Sequence, residues 1–164
     1  MGRTLASLDL SGTGYCASLN FRRTARAVTR VYDMAMQESG MRSTQFAILI
    51  AIAKTQPVSM GTLSDILIIE RSTLTRSLRL LQKESVITIS KRAAMRQRFV
   101  ELTGAGEKAL KRSIPLWRAA HERFVATVGS EYWLKLRNEL ERLAKTSLEM
   151  EGLQSVGVSA AKSK

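Results

Sequence analysis

Apolar residues recur along this chain with two different periods, and the places where the period changes divide it into elements. From Ala17 to about Glu38, the residues Phe21, Ala25, Val28, Tyr32 and Ala35 follow spacings of 4, 3, 4 and 3, which predicts an amphipathic first helix ended by Ser39-Gly40. Ser43 or Thr44 is placed to cap a second helix, with Phe46, Leu49, Ile52 and Ala53 on its buried side and Pro57 at its end. Ser59 is placed to cap a short third helix carrying Leu63, Ile66 and Leu67 inward. Glu70-Arg71-Ser72-Thr73 opens a fourth helix near residues 71 to 84, with Leu74, Leu78 and Leu81 toward the core. After Ser85 the period falls to two, and the stretches 86–90 and 99–103, rich in β-branched and aromatic residues, read as the strands of a hairpin. The helical period returns at Leu110, Ile114, Trp117, His121, Phe124 and Val128, an a/d-type seam in a helix of about 24 residues, kinked at Pro115. Ser130 is placed to cap a last helix with Trp133, Leu136, Leu140, Leu143 and Ser147 on one stripe.

Residues 1 to 16 are rich in Gly, Ser and Thr and read as a flexible arm, residues 17 to 150 as one unit, and residues 151 to 164 as a polar tail. A length of 164 residues with 45% apolar content fits a globular chain with a single core. Charge changes the picture more. Lys and Arg number 26 against 14 Asp and Glu, a net +12 that calls for a polyanionic partner, either nucleic acid or an anionic membrane face. The longest apolar run, 46 to 53, falls well short of the about 20 residues of a membrane span. The cations also spread along the chain rather than lining one basic amphipathic helix, so no membrane partner is expected. A lone Arg3 without a following apolar stretch gives no export signal, and the expected location is the cytoplasm.

Catalysis finds little to work with. The single Cys and the single His stand more than one hundred positions apart, too few soft ligands for a closed zinc site, and no Gly-rich phosphate loop or paired-carboxylate motif is evident. No enzyme, metal or cofactor is expected.

The order of elements carries more information. A short helix, a tight turn, a second helix with a polar outer face and then a hairpin with a cationic tip is the order of a winged helix-turn-helix, a mainly α (α+β) fold. The fourth helix offers Arg71, Ser72, Thr73, Thr75, Arg76 and Arg79 to a major groove, with Arg76 the best candidate for a bidentate guanine contact. Lys91, Arg92, Arg96 and Arg98 place four cations in eight positions of the wing, and no acid occurs from Ser85 to Val100. Without a polyanion these cations would repel one another.

At these residues the sequence resembles the MarR family of transcription regulators. The resemblance covers about residues 17 to 150. It rests on Phe21-Arg22-Arg23 through Tyr32-Asp33, on Thr44-Gln45-Phe46, on Arg71-Ser72-Thr73-Leu74-Thr75-Arg76, and on Arg96 through Val100-Glu101-Leu102-Thr103-Gly104. It implies a triangular homodimer joined by the long helices 17–38 and 104–150, around a winged helix-turn-helix lobe over 43–103. Each subunit would place its fourth helix in the major groove of double-stranded DNA at a pseudo-palindromic operator. Repression, relieved by a small-molecule effector or an oxidant, is the function it implies, the alternative being a non-sequence-specific basic chromosome- or RNA-binding protein. The dimer interface is then expected at Leu110, Ile114, Trp117, His121, Phe124, Trp133, Leu136, Leu140 and Leu143. Three features depart from the family pattern: Ser85 replaces a helix-ending Gly, Ala94 replaces the Asp that would brace Arg96, and the run Ile66-Leu67-Ile68-Ile69 is unusually apolar for the turn.

Three further features read first as structure. Arg22, Arg26 and Arg30 share a face of the first helix and read as solvated charge beside Asp33. Cys16 reads as a small buried residue, with an oxidant sensor as the functional candidate. His121, on an apolar stripe, reads as a hydrogen-bonded core histidine ahead of a pH or ligand switch.

Overall fold

The computed structural model describes residues 8–91, 97–150 and 152. Its helices are α1 (Ala17–Ala35), α2 (Ser43–Thr55), α3 (Met60–Leu67), α4 (Arg71–Lys83), α5 (Gly104–Val128) and α6 (Ser130–Met150). Three strands, β1 (Val58–Ser59), β2 (Ile87–Lys91) and β3 (Arg98–Leu102), form an antiparallel sheet in the order β1-β3-β2. The winged helix-turn-helix expected from the periodicity is therefore the fold. β1 is the addition: at two residues it is too short to show a period, and it exists because the outer edge of β3 accepts it, with Val58 opposite Val100 and Ser59 opposite Phe99.

By its contacts the chain divides into two compact units, Met1–Ala120 and His121–Lys164, with α5 running across the boundary. The core of the first is built on Phe46, Leu49 and Ile52 of α2, Leu63 of α3, Leu74, Leu78 and Leu81 of α4, and Val100 of β3, all buried. Two expected inward positions are corrected. On α2 the buried side chains are Phe46, Ile48, Leu49, Ala51 and Ile52, so the buried face is turned toward 48 and 51 and leaves Ala53 exposed on the rim. On α3 the inward positions are 60, 63, 64 and 67, so Ile66, about 100° around the helix from Leu67, is exposed.

Two expected caps also change. Ser43 is the first residue of α2, and the acceptor at its start comes from α1: Asp33 Oδ1 accepts the Ser43 N–H and the Ser43 hydroxyl, both at 2.7 Å. Gln45 Oε1 accepts the Arg42 N–H at 3.0 Å, so the α1–α2 corner is held by side chains from both sides. Before α6, Gly129 at φ +90° takes the capping position expected of Ser130, and its carbonyl accepts the Trp133 N–H at 2.8 Å. Ser59 does cap α3, its Oγ accepting the Thr62 N–H at 3.0 Å.

Helices α3 and α4 end in the same way. Ile68 (φ 51°) and Ser85 (φ 60°) both lie in the left-handed region. In each case the following residue closes a six-residue turn, Ile69 N–H to Ser64 O at 3.1 Å and Val86 N–H to Leu81 O at 3.1 Å. Ser85 thus adopts the backbone of the glycine it replaces. From there Thr103 joins three elements: its N–H donates to Val86 O at 3.1 Å, its hydroxyl donates to Ser85 O at 2.7 Å and accepts the Gly106 N–H of α5 at 3.1 Å.

In the second unit Trp133 of α6 is the centre of an aromatic group. Phe124 meets its ring edge-to-face at 5.5 Å and His121 at 6.1 Å.

Candidate nucleic-acid interface

The candidate interface begins with the amphipathic division of α4. Leu74, Leu78 and Leu81 are buried, which fixes the rotation of the helix and turns Arg71, Ser72, Thr73, Arg76 and Arg79 to the surface, with Thr75 half-buried between the two faces. Glu70 caps the helix, its Oε2 accepting the N–H groups of Ser72 at 2.8 Å and Thr73 at 3.1 Å and also the Ser72 hydroxyl. These bonds hold the Glu70 carboxyl below the ordinary glutamate value of 4.5, the Ser72 hydroxyl contributing most and the Thr73 amide next, with desolvation opposing them and the Ser72 amide contributing least. The hydroxyls of Thr75 and Ser77 donate to the helix's own carbonyls, Arg71 O at 2.7 Å and Thr73 O at 3.1 Å. Arg71 lies back over the start of α3, where a Cβ at Gly61 would come 3.8 Å from its Nη2.

The hairpin supplies the second wall. Lys91 and Arg98 are directly opposite in the β2–β3 register, like charges facing each other across the ladder. Between α4 and this hairpin lies a concavity of about 280 Å³ that brings Thr75, Arg79 and Gln82 of the helix together with Ser90, Lys91 and Arg98 of the strands. Among the described residues, no acidic side chain lines it. Gln82 escaped the reading of the sequence, although it stands at i+7 from Thr75 and i+3 from Arg79 and so on the same face. Arg92 and Arg96, with the Ala94 position, lie outside the described residues.

The candidate interface residues fall into two groups. Leu110 is only 5% exposed within the core of its own chain, a correction that leaves almost nothing of it for a partner. Ile114 and Trp117 pack half-buried against the same core, Trp117 stacking on Phe46 at 5.8 Å. In the second unit, His121, Phe124, Trp133 and Leu136 are half-buried, while Leu140 and Leu143 are exposed. Cys16, the residue before α1, is exposed where a buried residue was expected. On α1 the arginines that share a concave surface are Arg23, Arg26 and Arg30, with Asn20 and Thr24. Arg22 of the expected stripe is not among them, and its carbonyl accepts the Arg26 Nε–H at 3.1 Å.

Among the described residues, no three or more His, Cys, Asp or Glu are grouped to hold a metal ion, and no helix is long and apolar enough to cross a membrane. No family model matches the chain, nor does any curated protein. Solved structures do. The M. tuberculosis transcriptional regulator MosR, in complex with DNA, is 32% identical with a TM-score of 0.76, over 82% of this chain and 98% of MosR. A second MosR structure gives 30% identity and 0.71, over 80% and 95%. A variant of MarR from E. coli complexed with operator DNA is 17% identical with a TM-score of 0.73, over 83% and 99%, a likeness of fold alone. The identity with MosR spans nearly all of that protein, and on it, with the winged helix described above, the chain belongs to the MarR family of transcriptional regulators.

Proposed function

We propose that the chain is a homodimeric transcription regulator that binds a pseudo-palindromic site in double-stranded DNA, α4 entering the major groove and the wing lying beside it. The observation that carries this reading is the concavity uniting Thr75, Arg79, Lys91 and Arg98, lined by no acid among the described residues. An α-helix fits the major groove, and cations flanking it are placed to meet phosphates on either side. Lys91 opposite Arg98 costs stability in the free hairpin and is relieved by a polyanion. The DNA complex of MosR supports the same reading by relationship.

Dimerisation rests on unburied helices. Neither α1 nor α6 contains a buried residue, and α1 leaves Leu19, Phe21, Val31 and Met34 exposed along a helix whose apolar periodicity is strong. Repression relieved by a small ligand or an oxidant completes the proposal on the family resemblance, the exposed Cys16 thiol being the candidate oxidant site. The proposed role is binding, not catalysis, and it is exercised in the cytoplasm.

Selection of bound sequences from random duplexes tests the reading. The expected product is a pseudo-palindrome with half-sites about one helical turn apart. Against it, Arg76→Ala relaxes one base position by about 1 to 3 kcal/mol, whereas Arg98→Ala weakens binding to all sequences and lowers the salt slope by about 1. Equal affinity for selected and random duplexes at physiological salt would replace this reading with the non-sequence-specific one, which the net charge of +12 alone would also support.

A further inference from the structure

The first turn of α4 contains a bond whose direction is forced. Ser72 Oγ and Glu70 Oε2 are hydrogen-bonded, and the same oxygen accepts the Ser72 and Thr73 amides. An ionised carboxylate has no hydrogen to give, so the shared hydrogen is the hydroxyl's own. Ser72 is left with its lone pairs alone for any outside partner, and it is exposed at the end of the helix that leads into the groove. Major-groove base edges divide on this property: adenine N6 and cytosine N4 donate, whereas guanine O6 and N7 and thymine O4 accept.

We infer that Glu70 is a specificity-determining residue: by taking the Ser72 hydroxyl hydrogen it makes Ser72 an acceptor only, a reader of the exocyclic amine of adenine or cytosine at one base position. Glu70 acts through Ser72 and is a positioning residue, not itself a base contact. Thr75 and Ser77 have their hydrogens committed too, but to carbonyls of their own helix, which no side-chain change elsewhere removes. Ser72 alone among these hydroxyls is set by a replaceable partner. The charge of Glu70 adds a second effect, since a carboxylate at the DNA-facing end of the helix repels phosphate and lowers affinity for every sequence alike.

The inference rests on the proposed groove-binding role of α4, and the experiment separates the two. Sequences are selected from random duplexes by the full-length wild type, Glu70→Gln, Glu70→Asp and Ser72→Ala. Wild type and Glu70→Asp, which keeps a capping carboxylate, are expected to select adenine or cytosine at one position of each half-site. Glu70→Gln, whose amide is able to donate to Ser72 and free its hydrogen, loses that preference by about three- to tenfold, the worth of one hydrogen bond, while the other positions stand. It also binds random duplex more tightly. Ser72→Ala loses the preference at the same position. If Glu70 only capped the helix, Glu70→Gln would weaken all sequences equally, and that result overturns the inference. A wild-type motif left unchanged by both Ser72→Ala and Glu70→Gln overturns it as well, with the groove-binding role intact. A wild type that selects no motif overturns both.

Discussion

Gly106 shows how much a single missing Cβ matters. A methyl group there would stand 2.0 Å from Val86 O, a backbone atom with no freedom to move aside, because that carbonyl already accepts the Thr103 N–H. Gly106→Ala is expected to lower stability by about 1 to 3 kcal/mol or more, measured by thermal or urea unfolding. Gly104→Ala, two residues earlier with nothing within 4 Å, is the control and should leave the midpoint nearly unchanged. The sequence drew attention to Gly104 through the family-like motif and passed over Gly106, since close approach of a helix to a strand is a long-range fact. Ser85 is the opposite case. Its replacement of a helix-ending glycine was visible in the sequence, and its φ of 60° follows. Ser85→Gly should raise stability by about 1 kcal/mol or less, the left-handed strain relieved less the entropy of an added glycine.

Glu70 gives a pH dependence with a definite sign. Its carboxyl titrates below the ordinary 4.5, so the capping bonds favour the folded state fully above that pH and lose their advantage as the pH falls through the lowered value. Unfolding midpoints followed from pH 7 downward should therefore decline more steeply below about 4.5 for wild type than for Glu70→Gln. Parallel curves would show that the cap contributes nothing ionic.

At the scale of elements, the proposed binding role sets a conflict between stability and binding in the wing. Lys91 and Arg98 are cross-strand neighbours, and like charges in that position cost a few tenths of a kcal/mol, about 0.2 to 1. Lys91→Gln is expected to leave the free protein as stable or slightly more stable at low salt while weakening its affinity for DNA. A loss of stability would place Lys91 among structural rather than DNA-facing groups. The joint at Thr103 works the other way, in favour of rigidity. It ties the end of α4, the end of β3 and the start of α5 through one hydroxyl and one amide. Two hairpin strands were legible from their period of two. β1 was not, because its two residues have no pattern of their own and are recruited by the free edge of β3.

At the scale of the molecule, the unburied faces of α1 and α6 are the observation on which the proposed dimer rests. Sedimentation equilibrium is expected to return twice the chain mass, with a midpoint of unfolding that rises with protein concentration. Leu140→Glu with Leu143→Glu, both exposed on α6, should shift the protein toward the monomer and weaken binding to a two-half-site duplex far more than to a single half-site. A monomer in the wild type would remove the two-fold operator from the proposal.

Local periodicity and charge are properties of neighbouring residues, and they were enough to specify six helices, a hairpin, the outward face of α4 and the demand for a polyanion. They were also enough to place Arg76 and Arg79 on that face, since burying Leu74, Leu78 and Leu81 leaves the helix one possible rotation. The sequence could not decide what depends on residues far apart in the chain. Asp33 replaces the expected cap of α2 from ten positions away, and Leu110 is drawn into the core of its own chain. Gln82 joins Lys91 and Arg98 around one concavity, and Gly106 meets Val86. Each of these is a contact between surfaces that come together only when helices and sheet pack, and packing is decided by the whole core at once rather than by any window of the chain.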